Sequence, residues 1–180
     1  MQNIKQTLCM AYLEHENIGA LEVFCTTDGV CKCRFTNLSD FESELLGQEE
    51  CFDTKAIDIL ATALRQINSF LSGDPTNFTV PLDWKGISPF AREVYQATMQ
   101  IPFGKVRTYG EIAHAIQKPH ACRAVGQALS ANPMVLIIPC HRVIASNGNL
   151  QGFSAPTGLA IKSWLLQHEG HHVQENHLIC

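Results

Sequence analysis

The chain has 180 residues, of which 46% are hydrophobic and 17% are charged. This length allows one large domain or two small ones, and the composition excludes an intrinsically disordered protein. No apolar run approaches the roughly 20 residues that a membrane helix needs, so no membrane contact is expected. The first residues, Met1 to Lys5, lack the basic and then apolar layout of a signal peptide. These features predict a cytoplasmic protein.

The charge distribution and the cysteine content indicate which binding partner and which thiol redox state to expect. Residues 1–80 carry 5 basic and 12 acidic side chains, whereas residues 81–180 carry 8 basic and 5 acidic ones. The second part is therefore the one suited to a polyanion, although ordinary surface variation gives the same pattern. Without a secretory signal, the 8 cysteines are expected to be reduced thiols and not a disulfide framework.

The first 80 residues combine strands with one helix. Alternating apolar residues over 8–35, with a turn at Asp28–Gly29, predict strands. Residues 54–71 carry apolar side chains every three or four positions, which predicts a helix capped by Asp53 or Thr54 and closed near Gly73. Residues 74–87 contain two prolines and are expected to be a linker. The sequence thus predicts an α/β protein with a small strand-plus-helix domain over 1–80 and a second domain over 81–180.

The second domain is predicted to be mostly helical. Ser88 and Pro89 open a helix that should reach Met99. The spacing of Thr108 and Glu111 is that of a capping box, which predicts a short helix to about residue 116. A further helix fits 121–131, and two short helices around a tight turn favour a helix-turn-helix, although any helical hairpin gives this pattern.

The rest of the chain surrounds a cysteine. The apolar run 135–138 lies between prolines and predicts a buried strand, so that Cys140 would lie just past a strand end. A last helix is expected over 158–167 with Gly170 after it, and the tail containing His171, His172 and His177 is expected to be frayed.

Cys140 is the candidate nucleophile. A thiol reacts as thiolate, and its free pKa of about 8.5 leaves only a few per cent ionised at neutral pH. His141 follows directly and can take the proton, through a water if the two side chains diverge. Glu169 is the candidate that orients His141. The competing interpretation is that Cys140 is a small buried hydrophobe.

Several ordered segments resemble the O6-alkylguanine-DNA alkyltransferase family. Those segments are IPCHRV at 138–143, IPFGKVRTYGE at 101–111, RAVG at 123–126, NP at 132–133, GFSAP at 152–156 and LLQHEG at 165–170. The resemblance covers roughly residues 85–170. For residues 1–80, which match only in size and in strand and helix pattern, it implies a ribonuclease H-like scaffold domain.

The resemblance implies a single-turnover methyltransferase that repairs DNA by direct reversal and inactivates itself. Cys140 would accept the alkyl group from O6-alkylguanine, with O4-alkylthymine as a further candidate substrate. His141 and Glu169 would complete the catalytic set. Four residues would bind the flipped guanine: Tyr109 at N3, the Ser154 amide at O6, the Val143 carbonyl (with that of Cys140) at the amino group, and Asn132 as the hinge of the active-site turn. Without the family, Tyr109 is a core residue of a capped helix and Asn132 a helix C-cap.

The resemblance also implies how DNA would be held. The partner would be double-stranded DNA containing O6-alkylguanine, bound by a monomer through the minor groove with base flipping. Arg123 would fill the vacated stack, and Ala124 and Gly126 would allow the helix to approach the groove. Such small residues equally suit tight helix packing.

No cofactor or metal is expected. Cys9, Cys25, Cys31 and Cys33 suggest a zinc site, but Cys-x-Cys on one strand is poor geometry for a tetrahedral ion. Lys162 and Arg142 are candidates for phosphate contacts or for structural roles, with Arg142 bracing the active-site turn. Two alternative functions are a damage-binding module without transfer activity, whose known relatives lack the acceptor cysteine, and a cysteine hydrolase using Cys140 and His141.

Overall fold

The described residues of the first part of the chain form a three-stranded antiparallel sheet that is covered by a helix. The computed structural model describes residues 8–36, 53–153, 155 and 158–179. Strands β1 (Cys9–His15), β2 (Gly19–Cys25) and β3 (Val30–Thr36) pair in the order β1-β2-β3. Leu21 lies opposite Leu13 on one side and Phe35 on the other. Helix α1 (Thr54–Leu71) packs on this sheet. The predicted strands are confirmed.

Helix α1 has the predicted bounds because its ends are encoded locally. The Asp53 carboxylate accepts hydrogen bonds from the amides of Lys55 and Ala56, at 3.0 and 3.1 Å. These are two of the amides that lack a partner inside the first turn. At the other end Gly73 has φ +94°, a left-handed conformation that suits glycine. The buried face carries Ile59, Ala63, Ile67 and Phe70 at helical spacing.

The described residues of the second part form four α-helices and two short sheets. The helices are α2 (Pro89–Met99), α3 (Tyr109–Ala115), α4 (Cys122–Ser130) and α5 (Leu159–His168). Strand β4 (Arg107–Thr108) pairs in parallel with β5 (Val143–Ile144), and β6 (His172–Gln174) pairs with β7 (His177–Ile179). Helices α3 and α4 pack against each other, as a helix-turn-helix requires. None of the helices in the described ranges is long and apolar enough to cross a membrane.

One buried cluster joins the two parts of the molecule. It runs from Val23 on β2 through Phe70 on α1 to Val94, Val125 and Leu165 on the later helices. Backbone pairing reinforces it, since the Cys33 amide donates to the Pro133 carbonyl at 2.7 Å. The sheet therefore lies directly against the segment that precedes Cys140.

The predicted strand over 135–138 is wrong. This segment is a buried turn in which Leu136 has φ +68° and the Ile138 amide donates to the Met134 carbonyl at 2.9 Å. A short apolar run is compatible with any buried conformation, and Pro133 and Pro139 favour a compact one here. Cys140 consequently follows a turn and begins a 3-10 helix, Cys140–Arg142.

The predicted frayed tail is also wrong. Strands β6 and β7 form a hairpin whose turn residues Glu175 and Asn176 both have positive φ, at 48° and 61°, as a two-residue hairpin turn requires. Val173 and Leu178 pack on a small second core formed by Ile144, Leu150 and Leu166. The alternation of apolar and polar residues in this hairpin can be seen in the sequence, but the core residues on which it packs lie elsewhere along the chain.

The cysteines are not all reduced. Cys9 is disulfide-bonded, which contradicts the expectation of reduced thiols for that residue. Cys25, Cys31, Cys33, Cys122 and Cys140 are free. Composition indicates the redox compartment, but it does not indicate which thiols the fold brings within bonding distance.

Candidate active site

Cys140 lies in a turn that Asn132 holds from behind. The Asn132 side-chain amide donates to the Ile138 carbonyl at 2.9 Å and to the Cys140 Sγ at 3.1 Å. Its oxygen accepts from the Met134 amide at 3.0 Å. These three hydrogen bonds of one side chain join the end of α4 to the active-site turn. This is the position expected of the hinge residue.

The environment of Cys140 acts on its pKa in opposite directions. The residue is 7% exposed, and burial raises the pKa of the thiol because a low-dielectric surrounding disfavours the anion. The hydrogen bond from Asn132 and the nearby charge of Lys162 lower the pKa in part. Cys140 is therefore a protonated thiol in the isolated protein, and a base is needed to convert it to the nucleophilic thiolate.

His141 is placed to be that base. It is fully buried, and its Nε2 lies 2.8 Å from Glu169 Oε1. An ionised carboxylate only accepts, so Nε2 carries the hydrogen and the Nδ1 lone pair is free. Burial lowers the pKa of His141, which keeps the ring neutral. Among the described residues Nδ1 has no hydrogen-bond partner, so it is available to take a proton.

Glu169 is held by three hydrogen bonds besides the one to His141. Arg142 Nε donates to both carboxylate oxygens at 2.9 and 3.0 Å, and the Gly104 amide donates to Oε2 at 3.0 Å. The Nη1 of Arg142 donates to the Ile101 carbonyl at 2.7 Å. Burial acts to raise the pKa of Glu169, but the His141 hydrogen bond and the Arg142 charge outweigh it and hold the pKa low. Arg142 thus braces the turn, as its fixed geometry suggested.

Lys162 is a functional candidate whose role the sequence did not reveal. Its side chain is 1% exposed and donates to the Val143 carbonyl at 2.7 Å, so the phosphate-contact alternative is wrong. Burial lowers the pKa of Lys162 to about 8, and the nearby Cys140 acts in the opposite direction. The signal was its position on the buried stripe of α5, beside Ile161, Leu165 and Leu166.

Three of the four expected guanine-binding residues, Tyr109, Asn132 and Val143, lie in the part of the chain that the structure describes. Tyr109 is the first residue of α3, and burial raises the pKa of its hydroxyl, which keeps it a donor at neutral pH. The Val143 carbonyl already accepts from Lys162, and the Cys140 carbonyl accepts from the Val143 amide. Each carbonyl retains a second lone pair. Ser154 lies outside the described residues.

The expected DNA-contacting residues lie together on α4. Arg123 is exposed in the first turn, and Ala124 and Gly126 are partly exposed. A Cβ on Gly126 would lie 3.9 Å from the Tyr109 ring. Helix α4 therefore passes close to Tyr109, so a groove bound by α4 would lie near the residues that surround Cys140.

Comparison with known proteins agrees with this geometry. Residues 89–171 match the family model described as 6-O-methylguanine DNA methyltransferase, DNA binding domain. The methylated-DNA–protein-cysteine methyltransferase of Methanosarcina acetivorans is 46% identical over 108 residues, which are 60% of this chain and 67% of that protein.

Solved structures extend the similarity to the first part of the chain. The O6-methylguanine methyltransferase of Mycobacterium tuberculosis matches with a TM-score of 0.72 and 31% identity, over 90% of this chain and 92% of that one. The same organism's OGT in complex with DNA matches with a TM-score of 0.71 and 34% identity, over 89% and 91%. This chain therefore belongs to the methylated-DNA–protein-cysteine methyltransferase family.

Proposed function

We propose that this protein repairs DNA by direct reversal, transferring an alkyl group from O6-alkylguanine to its own Cys140. The observation that carries the proposal is the Cys140 site itself. A buried thiol held by Asn132 precedes a neutral His141 that has a free Nδ1 and a carboxylate partner. Two of the relatives cited above are named methyltransferases, one for methylated DNA and a protein cysteine and the other for O6-methylguanine.

The reaction is a single displacement. The Cys140 thiol gives its proton to Nδ1 of His141, through a bridging water, and Glu169 stabilises the resulting imidazolium. The thiolate Sγ attacks the alkyl carbon in line with O6, a carbon–sulfur bond forms, and the carbon–oxygen bond breaks. The electron pair of that bond goes to guanine, which stays in the DNA and takes up one proton in place of the proton that the thiol lost. Tyr109 donates a hydrogen bond to guanine N3, which limits the negative charge on the base as the bond breaks. No step regenerates the thiol, so one chain repairs one lesion.

Access to O6 requires the base to leave the duplex. Guanine O6 lies within the base pair, and flipping it out costs a few kcal/mol. In this proposal a monomer binds the minor groove through α4, with Ala124 and Gly126 allowing close approach. Arg123 stacks in the vacated space. The strand-and-helix part before residue 80 is a ribonuclease H-like scaffold, and the Ser154 amide and the Val143 carbonyl contact the flipped guanine.

The direct test is intact mass after incubation with an excess of duplex DNA containing O6-methylguanine, followed by peptide mapping. The expected result is one added methyl group per chain, located on Cys140. Cys140→Ser should abolish transfer and retain binding to the duplex, and Cys31→Ser is the matched control because it removes a partly exposed free thiol on β3, outside the proposed site and the DNA-binding helix. Methyl transfer that persists in Cys140→Ser would exclude Cys140 as the acceptor. Repeated turnover on an ester substrate would instead indicate a hydrolase.

A further inference from the structure

A series of aromatic rings connects the first part of the chain to the active site. Trp164 and His168 on α5 stack with centroids 4.7 Å apart and planes 19° apart. The His15 ring of β1 lies 5.2 Å from the Trp164 ring, measured between centroids. Phe70 of α1 meets the His168 ring edge-on at 5.4 Å. The His168 ring therefore contacts both Trp164 and the end of helix α1.

A hydrogen bond fixes the orientation of His168. Its Nε2 lies 2.7 Å from the Phe70 carbonyl oxygen, and a carbonyl can only accept, so Nε2 carries the hydrogen. Phe70 is at the end of α1, and its carbonyl also accepts from the Gly73 amide at 3.0 Å. Residues 98 positions apart are thus joined by one directional contact.

The same two residues flank the catalytic pair. The Phe70 ring packs against the His141 imidazole, with centroids 6.1 Å apart. His168 immediately precedes Glu169, which holds His141 at 2.8 Å. Phe70 therefore contacts the base with its ring, and it holds the residue beside the orienting carboxylate with its backbone.

We propose that His168 is a positioning residue, whose hydrogen bond to Phe70 aligns Glu169 and His141 for proton transfer from Cys140. The proposal rests on the transfer function proposed above and gives the first part of the chain a defined share in it. If α1 moved relative to α5, the Phe70 ring that contacts His141 and the Glu169 carboxylate that binds His141 would both be displaced. Small misplacements of catalytic groups cost large factors in rate.

Two substitutions separate the hydrogen bond from simple packing. His168→Phe retains a stacking ring and removes the donor. His168→Gln provides an amide nitrogen the same number of bonds from the backbone and removes the ring. His172→Phe is the control, since it makes the same chemical change on an exposed strand residue.

The first readout needs no DNA. Nitrogen-15 spectra of the histidine side chains of the full chain report the tautomer and surroundings of each imidazole. In the wild-type protein His168 should show the Nε2–H tautomer. The His141 signals should shift in His168→Phe and stay near their wild-type positions in His168→Gln and His172→Phe. Unshifted His141 signals in a folded His168→Phe variant would overturn the proposal.

The second readout is the single-turnover rate of methyl transfer from DNA, measured across pH. His168→Phe should be slower by roughly tenfold with an altered pH profile, and His168→Gln should recover most of the rate. If the wild-type protein transfers no methyl group, the proposed transfer function is wrong, but the spectra still test whether His168 aligns His141. If His168→Phe does not fold, His168→Leu takes its place, because it removes both the ring and the donor whereas His168→Gln removes only the ring. The His141 signals should shift in His168→Leu relative to His168→Gln, and the same His141 signals in both variants would overturn the proposal equally.

Discussion

At the scale of single residues, Glu169 is the point where the charges of the site meet. His141 Nε2, Arg142 Nε and the Gly104 amide all direct hydrogens at its carboxylate. A glutamine at this position would present an amide group to at least one of these donors and leave Arg142 without its counter-charge. Glu169 therefore has a structural role in addition to orienting His141.

Glu169→Gln should consequently slow methyl transfer and destabilise the fold together. Removing one partner of a buried ion pair costs about 3–5 kcal/mol, and we expect the unfolding free energy to fall by an amount in this range. Urea denaturation and the single-turnover rate measure the two effects. The exposed Glu175→Gln is the control. An unchanged transfer rate would show that Glu169 does not orient the base.

Lys162 makes a prediction about pH. Its pKa is about 8 in the folded protein and near 10.5 in the unfolded chain, so the unfolded state binds more protons between these values. Stability contributed by this group therefore rises as pH increases from about 8 to about 10.5, by up to about 3 kcal/mol. Lys162→Met removes this term, although losing the hydrogen bond to Val143 costs about 1–3 kcal/mol at every pH.

The measurement compares Lys162→Met with its parent by urea denaturation near pH 7 and near pH 10, both in a Cys140→Ser background. The variant should be relatively more stable near pH 7 than near pH 10, because only the parent gains stability as Lys162 loses its proton. A difference that does not vary with pH would show that Lys162 is not a buried cation.

At the scale of elements, helix α3 sets the position of Tyr109. The Thr108 hydroxyl accepts from the Glu111 amide at 3.1 Å, and the Glu111 carboxylate accepts from the Thr108 amide at 2.6 Å. These reciprocal bonds satisfy two amides at the start of the helix. The Thr108 amide and hydroxyl both donate to the Glu111 carboxylate, and these two bonds lower the pKa of Glu111. They therefore stabilise the helix above the usual pKa of glutamate and are lost as pH falls through the lowered value.

Thr108→Val keeps the shape of the side chain and removes its acceptor. The loss of the cap should cost about 1 kcal/mol, which for a chain of this size lowers the melting temperature by about 3 °C. Methyl transfer should slow as well, since Tyr109 follows the cap directly. Thermal unfolding and single-turnover assays check this, with Thr62→Val on α1 as the control. An unchanged melting temperature would contradict the cap's contribution.

Elements whose signals are local were predictable from the sequence, and those that depend on distant contacts were not. The caps at Asp53, Ser88 and Thr108 lie within four residues of the amides they bind, so their helices begin where predicted. The turn at 134–138 forms against Cys33, about a hundred positions earlier. Its conformation is set by a partner that no local pattern identifies.

The active site shows the same division. The motif around Cys140 and the LLQHEG segment identified Cys140, His141 and Glu169 as candidates, and the structure brings the last two within 2.8 Å. The Gly104 amide and the contacts of Phe70 were not predictable, because a backbone donor or a packed ring leaves no residue-type signature. Lys162 was misleading, since lysines are almost never fully buried.

At the scale of the whole molecule, the continuous core bears on how the chain unfolds. The change in composition near residue 80 predicts two domains, but the main buried cluster includes residues from β2, α1, α2, α4 and α5. Separating the two parts would expose Phe70, which packs on Phe103, and Phe35, which packs on Phe153. The free energy of burying such side chains, about 1.5–3 kcal/mol each, couples the parts.

We therefore expect a single cooperative unfolding transition, in which the calorimetric and van't Hoff enthalpies agree. Phe70→Ala should lower the stability of the whole chain by about 3–5 kcal/mol and leave the transition single, because the cavity opens in a core that both parts share. The exposed Ile57→Ala on the same helix is the control. Two resolved transitions, of which Phe70→Ala displaces only that of the first part, would show instead that the two parts fold independently. The contacts of His168 and Phe70 would then join separate domains.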